Sequence, residues 1–66
     1  MKIKINGKEE TVDKKKNIEE LVSGKGFISD HIVVEHNFKI VPKEEWSKVM
    51  LNEDDSVEIV SFVGGG

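Results

Sequence analysis

The chain has 66 residues, of which 36% are hydrophobic and 35% charged, and its formal net charge is −3. A domain of this size buries only roughly 60% of the surface its unfolded chain exposes, and a lidded enzyme pocket would use up much of so thin a core, so a carrier, adaptor or binding module fits better. Interspersed charges leave no basic footprint for nucleic acid, no apolar run approaches the length of a membrane span, and the absence of cysteine excludes a disulfide frame and a thiolate metal site.

Met1 to Lys4 lacks the apolar core of a signal peptide, which together with the missing cysteines points to a cytoplasmic location. Lys2 to Asn6 alternates polar and apolar with Ile3 and Ile5 on one face, the pattern of a half-buried strand. Asn6-Gly7 follows, and both residues tolerate the positive φ of a type I′ turn, so Glu9 to Val12 is expected to return antiparallel. Asn17 reads as a helix N-cap with Glu20 completing a capping box, and Ile18, Leu21 and Val22 form one apolar stripe. Gly24 is expected to supply the left-handed residue that ends this two-turn helix, and Phe27 or Ile28 to seal it against the sheet.

His31 to His36 predicts a strand, Asn37 and Phe38 a turn, and Lys39 to Val41 a short returning strand that Pro42 ends. Pro42 can open a helical turn, with Glu44 and Glu45 in its first turn and Trp46, Val49 and Met50 at helical spacing. Lys14-Lys15-Lys16 and Glu53-Asp54-Asp55 read as solvated loops. Val57 to Val63 is the longest strand, and only Gly64, Gly65 and Gly66 come after it. The order predicts an α+β domain over residues 1–66, a sheet curled around one short helix, with residues 64–66 a flexible tail.

Two features carry chemistry. Along the last strand Val57, Ile59, Ser61 and Val63 point one way, and Glu58, Val60 and Phe62 the other. If the first set faces the helix, Val60 and Phe62 lie on an outer face that either docks a partner or is covered by the segment around Trp46. The second feature is the glycine tail, which is either an incidental end or a device. Without Cβ atoms it can thread a narrow channel and deliver its carboxylate to a site closed to bulkier residues. A carboxylate is a poor electrophile and needs activation, for example by attack on the α-phosphate of ATP, after which a sulfur nucleophile displaces AMP and leaves a thiocarboxylate. The chain has no Walker loop, so a partner enzyme would do that work. Metal ligation is not expected: His31 and Glu35 share a strand face while His36 points away.

Met1 to Lys8 (MKIKINGK), Ile40 to Trp46 (IVPKEEW), and Val57 to Val63 followed by glycines together resemble the ThiS family, the bacterial sulfur carriers of thiamin biosynthesis. The resemblance spans the chain and implies a ubiquitin-like β-grasp fold. It implies that Gly66 is the acyl and sulfur attachment point, that Gly64 and Gly65 thread the partner, and that Val60, Phe62 and Val63 lie at the docking surface. The implied partners are a ubiquitin-activating-enzyme-like adenylyltransferase, a sulfur-transfer protein and thiazole synthase. ATP is then used by the partner, the carrier holds no bound cofactor beyond a thiocarboxylate on Gly66, and it has no catalytic residue of its own. The tail alone would equally suit a sulfur carrier for molybdopterin synthesis or a ubiquitin-like protein modifier, and a plain binding module could carry it incidentally. The Pro42 to Trp46 segment favours thiamin, because the related molybdopterin-synthase subunits share the tail and fold without it. Three glycines in place of two, and Glu53-Asp54-Asp55 where a Gly-Asp is common, are the departures from the family pattern.

Overall fold

The computed structural model describes residues 1–62; Val63, Gly64, Gly65 and Gly66, and the roles expected of them, lie outside the described residues. Strands β1 (Lys2–Ile5) and β2 (Lys8–Thr11) form the opening hairpin, with Asn6 and Gly7 at φ +52° and +81° as a type I′ turn demands. Helix α1 (Ile18–Gly24) follows, then β3 (Ile32–His36), β4 (Lys39–Ile40) and β5 (Ser56–Ser61). The five strands make one mixed sheet in the order β2-β1-β5-β3-β4. The last strand is therefore the central one, parallel to β1 and antiparallel to β3.

The capping box forms as the sequence predicts: the Glu20 amide donates to Asn17 Oδ1 at 2.8 Å, and the Asn17 amide to Glu20 Oε1 at 3.0 Å. Ile18, Leu21 and Val22 are buried on the sheet. A helix of 7 residues has no stability of its own, so this packing holds it. Its stop differs from expectation. Gly24 is the last helical residue, and the left-handed residue is Gly26, at φ +78°, whose amide donates to the Ser23 carbonyl at 3.1 Å. Phe27 packs partly against the core, whereas Ile28 is exposed.

The helix expected after Pro42 is a 3₁₀ segment, Lys43–Lys48, that packs against α1. Trp46 is buried there, donating from Nε1 to the Val41 carbonyl at 2.9 Å. Beyond Lys48 the chain is extended, because the Ile18 amide donates to Val49 O at 3.1 Å and the Leu51 amide to Lys16 O at 2.8 Å. These bonds tie the start of α1 to the segment leading into β5. They turn Met50 outward and bury Leu51, a core residue that helical spacing had passed over. Two edges also moved: β4 ends at Ile40, before Val41, and β5 begins one residue early, at Ser56, and is described to Ser61, with the expected end at Val63 lying outside the described residues.

The turn between β3 and β4 holds Asn37 at φ +50° and Phe38 at φ +72°. Asn tolerates the left-handed region, but a bulky aromatic there is strained, and the Phe38 ring is 81% exposed and so gains little burial in exchange. Replacing Phe38 with Gly is expected to stabilise the fold by about 0.5–1 kcal/mol, the relief of strain exceeding the extra unfolded-state entropy of glycine. Thermal unfolding checks this, with Tm expected to rise by roughly 2–8 °C; a fall would mean that the ring contributes packing that its exposure conceals.

Candidate functional site

The site grows out of β5. Val57 and Ile59 are 0% and 5% exposed and face the helix, while Val60 and Phe62 are 52% and 45% exposed. The expected alternation holds for these four residues, although Ser61, assigned to the inner set, is exposed at the end of the sheet. Val60 stands directly opposite Val33 of β3, and Ile40 of β4 opposite Glu35. Val33 and Val60 thus form an apolar pair on the outer face that continues toward Phe62, with Ile40 set beyond Glu35, and Trp46, buried with the core on the other side, does not cover it. Beside it, Phe27, Ile28, His31, Ile32, Ser61 and Phe62 line a shallow groove of about 370 Å³. The Phe62 amide donates to His31 O at 2.9 Å, the last sheet bond before Val63 and the three glycines. A second groove, about 390 Å³ and lined by Lys2, Lys4, Glu9 and Phe38 among others, lies at the other end of β5 from Phe62.

Two polar devices hold β5 in place, and sequence reasoning missed both. The first is Asp55, read as part of a solvated acidic loop. It is buried, accepting from the Asn52 amide at 2.8 Å and from Asn37 Nδ2 at 3.2 Å, with His36 Nε2 at 2.7 Å from Oδ2. Asn37 extends the network, since its Oδ1 accepts from the Ser56 amide at 2.9 Å. Asp55 thereby ties the β3–β4 turn to the entry of β5. A signal was present: Asp55 has the same parity as Val57 and Ile59, so the two-residue period carried back from β5 points it inward. The second device is Asn6. Its Oδ1 accepts from the Ile59 amide at 2.7 Å and its Nδ2 donates to the Ile59 carbonyl at 3.2 Å.

His31 lies in a 3₁₀ turn, Ser29–His31, rather than on the strand, so it does not share a strand face with Glu35. Among the described residues no three His, Cys, Asp or Glu side chains converge as a metal site would require, and no helix is long and apolar enough to cross a membrane. Lys43, inside the Pro42 to Trp46 segment, pairs with Asp30 at 2.5 Å and holds that carboxyl below its ordinary value of 3.8. Both groups are largely exposed, so the pair adds little to stability.

A mixed sheet wrapped on one face around a single helix, with the C-terminal strand at its centre, defines a β-grasp protein of the ubiquitin-like class. A solved structure of a thiamine biosynthesis protein (ThiS) from Geobacter metallireducens matches it with a TM-score of 0.86 at 33% identity, each chain covered in full. The chain belongs to the ThiS family, whose model matches residues 3–66. It is 37% identical over 67 aligned residues to the sulfur carrier protein ThiS of Bacillus subtilis, covering 97% of this chain and 98% of that one. It is also 41% identical over 66 residues to a protein of Paramagnetospirillum magneticum named thiazole synthase, covering 100% of this chain but 20% of that protein. A second such protein, from Magnetococcus marinus, is 38% identical with the same coverage, so this chain spans about a fifth of the length of these two relatives.

The Asp55 network has a pH signature. Burial works against the charged carboxylate, but the bonds from His36, the Asn52 amide and Asn37 outweigh it and hold Asp55 below 3.8. A depressed folded-state value means stability that is fully present above the unfolded value of about 3.8 and is lost as pH falls through the folded value. Asp55→Asn should lose about 1–3 kcal/mol at neutral pH, because its amide turns a donor toward other donors. It should also flatten the acid limb of stability below pH 3.8. Urea unfolding across pH checks both, and an acid limb unchanged in the variant would remove Asp55 from the account.

Proposed function

We propose that this chain is a sulfur carrier of thiamin biosynthesis, a substrate that partner enzymes load and unload through the carboxylate of Gly66. The observation that carries the reading is the apolar outer face leading to Phe62, on the central strand whose chain continues into Gly64, Gly65 and Gly66. An outer face of this kind suits partner docking, and the glycines that follow suit passage through a channel too narrow for side chains. Family membership through residue 66 supports the carrier role, and the relatives named thiazole synthase, which contain a segment like this whole chain, support thiazole synthase as the recipient of the sulfur.

In the proposed cycle a carboxylate oxygen of Gly66 attacks the α-phosphorus of ATP on a ubiquitin-activating-enzyme-like adenylyltransferase. Pyrophosphate leaves and an acyl-adenylate remains. A hydrosulfide equivalent from a sulfur-transfer protein attacks the acyl carbon, and AMP departs with one of the carboxylate oxygens. The product is a thiocarboxylate on Gly66. Val60 and Phe62, with Val63 beyond them, seat the partner, while the catalytic groups and the ATP site belong to the partner.

Incubation with such an adenylyltransferase, ATP and a sulfide donor is expected to add one oxygen-to-sulfur exchange to the intact mass. Deleting Gly65 and Gly66 together, which leaves fewer than the two glycines of the family pattern, should abolish it. Val60→Asp should raise the KM for the carrier on the order of ten-fold while leaving the maximal rate within about two-fold, because a charge is placed on the docking face and not in the tail. A wild-type chain that gains no sulfur from an enzyme competent on another family member refutes the reading.

A further inference from the structure

We propose that Asn6 is a positioning residue for the loading reaction: its side-chain amide stands in for a missing residue of β1 and fixes the course of β5 toward the tail. This rests on the carrier reading above. β1 ends at Ile5, opposite Val57, and the Asn6 amide still donates to Val57 O at 2.9 Å before the chain turns away through Gly7. β5 continues to Ser61, so from Ile59 onward its β1 edge has no strand beside it. The next peptide group facing that edge, at Ile59, is met by Asn6 alone, accepting at 2.7 Å and donating at 3.2 Å.

A primary amide carries one acceptor and one donor in the arrangement of a peptide group, so it can satisfy both halves of Ile59 as a strand residue would. Only one orientation of the amide does this, since the Ile59 N–H must meet an oxygen. Asn also tolerates the left-handed conformation that the first turn position needs, here φ +52°. The same residue therefore makes the hairpin turn and extends the ladder. Among the described residues, beyond Ile59, Val60 and Ser61 pair only with β3, and the Phe62 amide bonds to His31. The Asn6 bonds are thus the last hold on the β1 side of the strand, three positions before Phe62. When they are broken, the end of β5 can swing about β3, and the fraction of molecules presenting the tail in a loadable direction falls. A lowered competent fraction acts on apparent affinity and not on the chemical step.

Asn6→Gly is the test variant, because glycine keeps the positive φ of the turn and removes only the amide. Amide hydrogen exchange of the intact chain is expected to speed up about ten-fold at Ile59 while the Val41, Leu51 and helix amides stay within about two-fold of wild type. With an adenylyltransferase that accepts the wild-type chain, the KM for the carrier should rise several-fold with the maximal rate unchanged. Asn6→Asp, which keeps an acceptor for the Ile59 amide but sets an oxygen against its carbonyl, should fall between the two. Unchanged exchange at Ile59 overturns the proposal, as does faster exchange with unchanged kcat/KM. A uniform acceleration across β1, β3 and β5 also overturns it, since it would assign Asn6 to general stability. Failure of the wild-type chain to acquire sulfur is a separate result that sinks the carrier reading and leaves the exchange measurement to be read on its own.

Discussion

One seven-residue helix can cover only one face of a five-stranded sheet, and the rest of the molecule follows from that shortage. The covered face takes Ile3, Ile5, Val34, Val57 and Ile59 against α1 and the Trp46 segment, and the two-residue period of the strands sends their neighbours the other way. On the edge strand β2 this places charge in water, and on the edge strand β4 it leaves Ile40 exposed. On β5, and on β3 beside it, the period places Val60 and Val33 in water as well. In a chain this small every apolar side chain is needed in the core, so leaving these outside forgoes stability that the fold could use. The proposed partner surface would give a physical reason for the loss, and these residues lie toward the Phe62 end of β5.

A central strand that continues into the tail needs to be held along its length; the buried face forbids a one-residue slip, whereas a two-residue slip would keep the same faces and must be excluded by other contacts. Polar groups supply the specification. Asp55 gathers His36, Asn37 and the Asn52 amide at the entry of β5, and Asn6 takes the Ile59 peptide group where β1 gives out. Among the described residues, no buried side-chain nitrogen or oxygen lacks a partner. A fully paired network of this kind rigidifies what it touches, whereas a half-paired one would be costly.

The fold was legible wherever local chemistry decided the outcome. The Asn6-Gly7 hairpin, the Asn17–Glu20 box, the helix stripe and the inward set Val57 and Ile59 all follow from spacing a few residues long. The misses share a different cause. Gly24 and Gly26 both suit the end of a helix, and which one turns left-handed depends on where Phe27 must go to reach the core. Val49 and Met50 had helical spacing, but bonds to Lys16 and Ile18 drew that stretch out straight, a tertiary preference overriding a local one. Asp55 looked solvated because of its acidic neighbours; its parity with Val57 was the better guide, and the partners that let it be buried, His36 and Asn37, lie 18 or 19 residues away. Of the site, the outer position of Val60 and Phe62 could be read in advance, while the support beneath them could not, since it is made by side chains brought together only on folding.

That support bears on how a carrier of the proposed kind would present its tail. In the proposed cycle three glycines would be held in a partner's channel, and glycine loses more backbone freedom on being held than any other residue, a cost that would fall on every binding event. The tail cannot be stiffened to reduce it without adding the side chains that would close the channel. What the fold can do is hold β5 in advance as far as Phe62, so that less of the chain is left for binding to fix. A central strand paired on both sides as far as Ile59, and bonded through Phe62 to His31, does this with the backbone of β3 and the amide of one asparagine. Placing the tail on the middle strand, rather than on an edge where one neighbour would be absent throughout, is what makes that order possible in so small a chain.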